Sequence, residues 1–272
     1  MFLAWLIWPG GAGSSQASDI GWDRLADGLD IANWEPRQTC SDAVPATVLL
    51  RIDPERYRFA VYHYLDEKLS APLTIKEWHR RTGALILFNA GLFREDYTYL
   101  GLLFKDGRAL ESHRHRQWHG LFAAEPVDAT LPRARVMDLA VERFSTDHPA
   151  YREAAQSLML LDRAGKPRVN QTGKRAHQTI VAELDAGQIL VAKTSGAAAL
   201  WELATCLRKS VGGVRQAMAM DGGASSDLLV SEESVQPAEE GTEAAPYQLP
   251  AIVDGTGMGH IPLPSVIGVL PR

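Results

Sequence analysis

Cysteine is nearly absent from this sequence, which has only Cys40 and Cys206 among its 272 residues. Two cysteines exclude a disulfide-rich scaffold and any zinc site built mainly from thiolates. The two side chains either pair in an oxidising compartment or remain as separate buried thiols. The sequence leaves both states open.

The chain also lacks a long apolar run. A membrane-spanning helix needs about 20 consecutive apolar residues, and no segment reaches that length. The apolar residues 1–8, followed by a stretch of small residues, predict a signal peptide over residues 1–18 that is cleaved near Ala17. We therefore expect a secreted or periplasmic protein without a stable membrane span, folded as a single domain over residues 19–272.

The chain has no excess of positive charge, because its 28 Lys and Arg residues are outnumbered by 33 Asp and Glu residues and the net charge is -5. A nucleic-acid partner is therefore not expected, since binding it needs concentrated Lys and Arg. The exception is the His-Arg-His-Arg segment at residues 113–116. It is either a solvated loop or a cationic rim that attracts an anionic substrate. Its two histidines also leave a divalent metal open, although no nearby Cys or carboxylate completes a ligand set.

Turn-forming residues between alternating or apolar segments predict several β-hairpins. Residues 46–52 and 57–63 are predicted to pair across the turn at residues 53–55. The Asp-Gly pair inside residues 105–108 and the turn at residues 185–187 predict two further hairpins. The chain is therefore expected to be rich in antiparallel strand pairs.

Helices are fewer than strands. Thr74 and Glu77 have the spacing of a capping box and predict a helix that ends at Gly83. Residues 197–209 have apolar side chains at helical spacing and predict a second helix. The predicted fold class is α+β, with a mixed, mainly antiparallel β-sheet core and a few covering helices.

Two apolar strands are predicted to carry polar groups at their carboxyl ends. Residues 84–88 lead into Asn-Ala-Gly-Leu-Phe at 89–93, and residues 216–220 lead into Asp-Gly-Gly-Ala-Ser-Ser at 221–226. A carboxylate at the end of an apolar strand is costly unless it is paired, hydrogen-bonded or protonated. Asp221 is therefore the first candidate for catalysis, although it could equally cap a tight turn.

The residues after Asp221 are suited to ligand binding. Gly222 and Gly223 permit close backbone approach, and successive N–H groups in such a turn can bind anionic oxygen. Ser225 and Ser226 add hydroxyls. A serine nucleophile elbow is excluded because Asp227 stands where it needs a glycine, and the Gly-Lys-Ser/Thr end of a Walker loop is missing.

Three other polar residues have both a functional and an ordinary interpretation. Asn89 could donate to a sugar or phosphate oxygen, or only cap the following turn. Arg175 precedes an alternating strand, and its guanidinium suits phosphate, whereas many such arginines are simply exposed. His177 is a candidate acid or base, or an ordinary exposed histidine.

These segments together resemble the phosphodiester glycosidase family. The resemblance rests on residues 89–93, Gly101, Arg175, residues 221–226 and the closing segment 264–269, and it covers about residues 46–270. Asp-Gly-Gly-x-Ser-Ser after a buried strand is the most specific of these motifs. The sequence departs from the common pattern with leucine at position 92 and alanine at position 224. The stretch 110–156 carries no motif that we can place.

The resemblance implies hydrolysis of the glycosidic bond of a sugar-1-phosphodiester in an envelope or extracellular glycan, releasing free sugar and a phosphomonoester. Some bacterial members are linked with exopolysaccharide. It implies that Asp221 steadies an oxocarbenium-like centre or activates water, Arg175 stabilises phosphate charge and Asn89 orients the sugar. No cofactor is expected. The predicted substrate contacts are Gly91, His177, Gly222, Gly223, Ser225 and Ser226, and the candidates for a second carboxylate are Glu95, Asp96 and Asp227.

Two other functions remain open at this point. A non-catalytic module that binds an anionic glycan would show saturable binding without release of sugar. A metal-dependent phosphodiesterase would ligate a divalent metal through Asp221 and the segment around His113, and a chelator would abolish its activity.

Overall fold

The computed structural model describes residues 20–235, 247–253 and 259–272, so the predicted signal peptide at residues 1–18 lies outside the described residues. The strands are β1 (Asp23–Ala26), β2 (Leu29–Trp34), β3 (Thr47–Ile52), β4 (Tyr57–His63), β5 (Ile86–Asn89), β6 (Leu103–Lys105), β7 (Arg108–Glu111), β8 (Gly120–Pro126), β9 (Ala134–Asp138), β10 (Tyr151–Leu161), β11 (Thr179–Leu184), β12 (Ile189–Thr194), β13 (Val214–Ala219), β14 (Leu228–Val230) and β15 (Ser265–Pro271). The helices are α1 (Pro36–Thr39), α2 (Ile75–Thr82) and α3 (Leu200–Ser210), with short 3₁₀ turns at Gly223–Ser225 and Glu232–Ser234. None of the helices in these described segments has the length and apolar character needed to cross a membrane.

The strands form two sheets. The larger sheet has the order β1-β2-β3-β12-β11-β13-β10-β6-β7, with β8 paired to β10 and β9 paired to β8. The smaller sheet has the order β14-β5-β15-β4. The strand pairs within the described segments are antiparallel. The predicted α+β class with a mainly antiparallel core is confirmed.

A shared apolar core lies between the two sheets. Phe59 from β4 meets Phe122 from β8 edge to face, with ring centroids 5.1 Å apart, and Phe88 from β5 lies 6.5 Å from Phe122. The helices cover the outer faces. Trp78 of α2 is buried against the smaller sheet, and Leu203 of α3 is buried against the larger one. This layering holds the ends of β5 and β13 in fixed positions.

Local signals in the sequence place α2 and two hairpins correctly. The Glu77 carboxylate accepts hydrogen bonds from the Thr74 N–H and hydroxyl, both at 2.8 Å, and Gly83 ends the helix with a φ of 63°. Asp106 and Gly107 both have positive φ, as a tight two-residue hairpin turn requires, and they connect β6 to β7. The pairing of β11 with β12 confirms the other hairpin.

The hairpin predicted across residues 53–55 is wrong. Both strands exist, but β3 pairs with β2 and β12 in the larger sheet, whereas β4 pairs with β15 in the smaller one. The turn itself is present, since the Asp53 carbonyl accepts from the N–H of Tyr57 at 3.0 Å. Leu50 of β3 and Phe59 of β4 both lie in the core between the sheets. Because burial of both apolar faces is favourable, the chain passes from the larger sheet to the smaller one after the turn instead of forming a hairpin.

The two cysteines form a disulfide that ties α3 to the segment after α1. The Cα atoms of Cys40 and Cys206 are 5.5 Å apart. Cys206 lies on the buried face of α3. The structure thereby decides between the two states that the sequence left open.

Candidate active site

The carboxyl ends of β5 and β13 meet where the two sheets adjoin. β5 ends at Asn89, and β13 leads through Met220 to Asp221. The Asp221 N–H donates to the carbonyl of Ala90 at 3.2 Å, and Nδ2 of Asn89 donates to the carbonyl of Asp221 at 2.8 Å. The structure thus brings together the two strand ends that the sequence singled out.

The side chain of Asn89 is buried, and backbone groups occupy its amide. Nδ2 donates to the carbonyls of Ala90 and Asp221, and Oδ1 accepts from the Asp227 N–H at 2.9 Å. Because an amide has two N–H donors, both are already used. Asn89 therefore joins two loops, which differs from the predicted contact with a sugar.

The carboxyl group of Asp221 lies at the start of the loop after β13 and is partly buried. Burial raises the pKa of Asp221 to about 6, although hydrogen bonds from the Ser225 hydroxyl and the Gly222 N–H act to lower it. A carboxyl group with this pKa exchanges protons readily near neutral pH. The Ser225 hydroxyl, which was predicted to contact substrate, bonds to the Asp221 carboxyl in the structure.

The two glycines after Asp221 are needed for different reasons. A Cβ on Gly222 would lie 3.0 Å from Oε1 of Gln178 and 3.1 Å from the carbonyl of His177. Gly223 has a φ of +73°, and its N–H donates to the His177 carbonyl at 2.9 Å. The loop after β13 is therefore packed against the entry to β11.

Gly91 is packed as tightly on the other loop. A Cβ there would overlap the Gln156 carbonyl and the Tyr99 hydroxyl. The Tyr99 hydroxyl accepts from the Gly91 N–H at 3.0 Å and donates to the Gln156 carbonyl at 2.8 Å. Burial raises the pKa of Tyr99. The backbone N–H of Gly91, a residue predicted to contact substrate, is thus used inside the protein.

A pocket of about 360 Å³ opens beside the loop after Asp221. It includes three of the predicted substrate-binding residues and one of the candidates for a second carboxylate. The lining residues are His177, Lys193, Ser195, Gly223, Ala224, Ser226, Asp227, Ile252, Gly259 and His260.

Lys193 is a pocket residue that the sequence analysis missed. Its side chain is buried, and Nζ donates to the Ser226 carbonyl at 2.6 Å and to the Ser226 hydroxyl at 2.8 Å. The Ser226 hydroxyl also lies 2.9 Å from Oγ1 of Thr179. Burial lowers the pKa of Lys193 to about 8. The available signal was a charged residue near the end of the apolar strand β12, the same argument that identified Asp221.

Asp227 lies in this pocket, unlike the other two carboxylate candidates. Its Oδ2 is 2.6 Å from Nδ1 of His260, and Oδ1 accepts from the Leu228 N–H at 3.0 Å. Glu95 and Asp96 are exposed on the loop after β5, where Asp96 accepts from a nearby backbone N–H. His260 follows no recognisable motif, so sequence reasoning had no means to find it.

Arg175 does not line the 360 Å³ pocket. Its guanidinium forms an ion pair with Glu202 at 3.0 Å and donates to the carbonyls of Ala197, at 2.9 Å, and Ala43. It lines a separate depression of about 850 Å³ together with Gln178. His177, one of the predicted substrate contacts, lines the 360 Å³ pocket.

The segment at residues 113–116 lines a third depression of about 590 Å³, together with Tyr99. The Gln156 amide holds this segment in place, since Oε1 accepts from the His115 N–H at 3.0 Å and Nε2 donates to the His115 carbonyl at 2.8 Å. The His115 ring stacks on Trp118 at 3.7 Å. In the described parts of the chain, no three His, Cys, Asp or Glu side chains are grouped so as to hold a metal ion.

A family model described as phosphodiester glycosidase matches residues 82–259. This region includes β5, the loop after β13 and the pocket up to Gly259. The search of curated proteins gives no match.

Three solved structures have the same fold at low sequence identity. A hypothetical protein from Synechocystis matches with a TM-score of 0.63 at 12% identity, over 94% of this chain and 64% of that one. The zebrafish N-acetylglucosamine-1-phosphodiester alpha-N-acetylglucosaminidase catalytic domain, auto-inhibited by its pro-peptide, matches at 0.59 and 14%, over 90% of this chain and 82% of that one. A putative exported protein from Burkholderia pseudomallei matches at 0.54 and 13%, over 84% and 74%. This chain thus spans less than two thirds of the Synechocystis protein.

Proposed function

Because this chain belongs to the phosphodiester glycosidase family, we propose that it hydrolyses the glycosidic bond of a sugar-1-phosphodiester and releases free sugar and a phosphomonoester. The observation that carries the proposal is the partly buried carboxyl of Asp221, with a pKa of about 6, at the start of the loop whose residues Gly223 and Ser226 line the 360 Å³ pocket. Substrates of this class occur in envelope and extracellular glycans, which is where we place the activity.

Asp221 is the proposed catalytic carboxylate. A phosphate leaving group is a weak base with a second pKa of about 6, so it departs without strong general-acid catalysis. The ionised Asp221 instead steadies the positive charge that develops at the anomeric carbon, or takes a proton from the attacking water. The Ser225 hydroxyl, which bonds to this carboxyl, keeps it oriented.

The remaining roles follow from position in the pocket. Gly223 and Ser226 form the wall that faces the substrate, and His177 lies at the same wall. Asp227, held by His260, is the proposed second carboxylate. The charge-stabilising role predicted for Arg175 is not part of the proposal, because Glu202 already neutralises its guanidinium.

Asn89 and Gly91 act in the proposal through the backbone. Asn89 fixes the loop that carries Asp221, and Gly91 permits the close approach of Tyr99. Both are therefore positioning residues rather than groups that touch the sugar.

Export is also part of the proposal. The disulfide between Cys40 and Cys206 supports an oxidising compartment, because disulfides persist in secreted and periplasmic proteins and are rare in the cytosol. Fractionation of the producing cells, with the pairing of the two cysteines determined by mass spectrometry, tests this part.

The test of the activity is incubation with a panel of sugar-1-phosphodiesters, followed by analysis for free reducing sugar. We expect release by the wild type and a decrease of about 10²–10⁴-fold in Asp221→Asn. Asp147→Asn, which changes an exposed aspartate, is the matched control and is expected to keep full activity. Saturable glycan binding without any released sugar would instead identify a binding module, and loss of activity with a chelator would identify metal-dependent chemistry.

A further inference from the structure

Lys193 is a buried cation without a carboxylate partner in the described parts of the chain. Its side chain is 5% exposed, and none of the ion pairs among the described residues includes it. Its two hydrogen bonds go to the carbonyl and hydroxyl of Ser226, which are neutral acceptors. A buried ammonium group is costly unless an anion compensates it.

The neighbouring carboxylate does not supply that compensation directly. Asp227 acts on Lys193 electrostatically, but its two oxygens bond to His260 and to the Leu228 N–H. An ammonium has three N–H donors, and the two bonds to Ser226 leave a third. Lys193 lines the 360 Å³ pocket, so this donor has a route to a ligand.

We propose that Lys193 is the phosphate-binding residue of this pocket and contacts the nonbridging oxygens of a phosphate ester. The identity of the anion rests on the proposed function, whereas the need for an anion rests on the uncompensated charge. Hydroxyls from Ser195 and Ser226 line the same pocket and are suited to the other phosphate oxygens. The phosphate would then lie beside the loop that begins at Asp221.

This assignment replaces the phosphate contact predicted for Arg175. Arg175 has its charge compensated by Glu202 and donates to two backbone carbonyls. A phosphate would have to displace those partners at Arg175, whereas Lys193 forms no ion pair with any of the described residues and would gain one. Binding of an anion is therefore expected to be more favourable at Lys193 than at Arg175.

Binding should depend on pH through the charge of the amine. Burial lowers the pKa of Lys193 to about 8, so above that pH the free protein loses the cation and its affinity for phosphate decreases. Among the residues that the structure describes, the other titratable groups that face the pocket are His177, Asp227 and His260. A variant that removes only the amine separates its contribution from theirs.

Isothermal titration with methyl phosphate as the probe, at pH 7 and pH 9, is the experiment. Lys193→Met keeps the length of the side chain and removes the charge, and it is not expected to unfold the protein because it removes a desolvated ion. At pH 7 we expect Lys193→Met to bind methyl phosphate about 10–100-fold more weakly than the wild type. The affinity of the wild type should decrease between pH 7 and pH 9, whereas that of Lys193→Met should stay the same. Arg175→Gln is the matched control and should bind within about twofold of the wild type.

The failure of this inference differs from the failure of the proposed function. If Lys193→Met binds methyl phosphate as tightly as the wild type and hydrolyses phosphodiesters with an unchanged KM, the assignment of Lys193 is wrong while the activity stands. If the wild type binds methyl phosphate through Lys193 but releases no sugar from any phosphodiester, the anion site stands and the proposed reaction is wrong.

Discussion

Asn89 and Asp227 are joined by two hydrogen bonds. The Asn89 N–H donates to the carbonyl of Asp227 at 3.2 Å, and the Asp227 N–H donates to Oδ1 of Asn89 at 2.9 Å. The same side chain also donates to the carbonyl of Asp221. One buried amide thus fixes the backbone on both sides of the loop that carries the proposed catalytic carboxylates.

Replacement of Asn89 by alanine should therefore cost both stability and activity. It leaves the Asp227 N–H and the Asp221 carbonyl without their partner, at about 1–3 kcal/mol each if they stay buried. Urea unfolding should show a decrease of about 2–6 kcal/mol in the free energy of unfolding. Asn33→Ala, at an exposed position of β2, is the control and should change little. Equal stability of the two variants would contradict the role assigned to Asn89.

The pH dependence of activity should follow Asp221. If the ionised carboxyl is the active form, kcat/KM increases as the pH rises through about 6, the pKa to which burial raises this group. The same shift acts against stability, because a group with a raised pKa in the folded state stabilises the fold below its ordinary pKa of 3.8, and that contribution is lost as the pH rises through 6.

Asp221→Asn should therefore be far less active than the wild type yet more stable at pH 7, by up to about 3 kcal/mol. Thermal unfolding at pH 7 and at pH 4 measures the difference, which should shrink at the lower pH. A variant that is less stable than the wild type at both pH values would show that the carboxylate is well compensated and that burial does not strain it.

Glu153 gives a second, independent pH effect on stability. This residue of β10 accepts from the Val61 N–H at 2.7 Å and the Asp106 N–H at 2.9 Å, and so connects the larger sheet to an edge of β4. Burial raises the pKa of Glu153 from its ordinary value of 4.5 to about 7. Its stabilising contribution is present below 4.5 and is lost as the pH rises through 7.

The wild type should lose up to about 3 kcal/mol of unfolding free energy from this residue between pH 4.5 and pH 8. Glu153→Gln removes the titrating proton and should flatten that part of the profile, although one N–H loses its acceptor. The exposed Glu232→Gln is the control and should leave the profile unchanged. Urea unfolding across the pH series measures it. An identical slope in Glu153→Gln would assign the effect to other groups.

The disulfide should contribute strongly to stability. Cys40 and Cys206 are 166 residues apart, so the bond restricts a long loop of the unfolded chain. A reductant should lower the free energy of unfolding by about 2–5 kcal/mol. The double variant Cys40→Ala and Cys206→Ala should match the reduced wild type and should not respond to reductant. A double variant that still responds would show that reductant acts elsewhere.

The sequence predicted what depends on local signals and missed what depends on distant contacts. The turns at Asp106-Gly107 and the Thr74 capping box are local, and both were placed correctly. The turn at Asp53 was also local, but the partner of the strand after it depends on which apolar faces share a core. Residues 110–156 carried no motif, although they supply β8, β9 and the first half of β10.

The candidate site divides in the same way. Asp221 was found because glycines follow a strand-end carboxylate, whereas Lys193 was missed because no such loop follows β12. The ion pair between Arg175 and Glu202 joins two segments of the chain, and no sequence pattern indicates that these segments are close together. Sequence motifs therefore predicted the loop that contains the candidate catalytic residue, whereas only the fold shows that Lys193 lines the pocket.

Tyr99 connects the loop that contains Gly91 to β10. Its hydroxyl accepts from the Gly91 N–H and donates to the Gln156 carbonyl, both inside the core. Tyr99→Phe leaves these two backbone groups unpaired, and we expect a loss of about 1–3 kcal/mol in unfolding free energy. Because Ala90, the neighbour of Gly91, accepts from the Asp221 N–H, the variant should also lower kcat while leaving the affinity for methyl phosphate at Lys193 unchanged. Tyr64→Phe, on a tyrosine outside this loop, is the control, and an unchanged kcat in Tyr99→Phe would show that the loop holds its position without the hydroxyl.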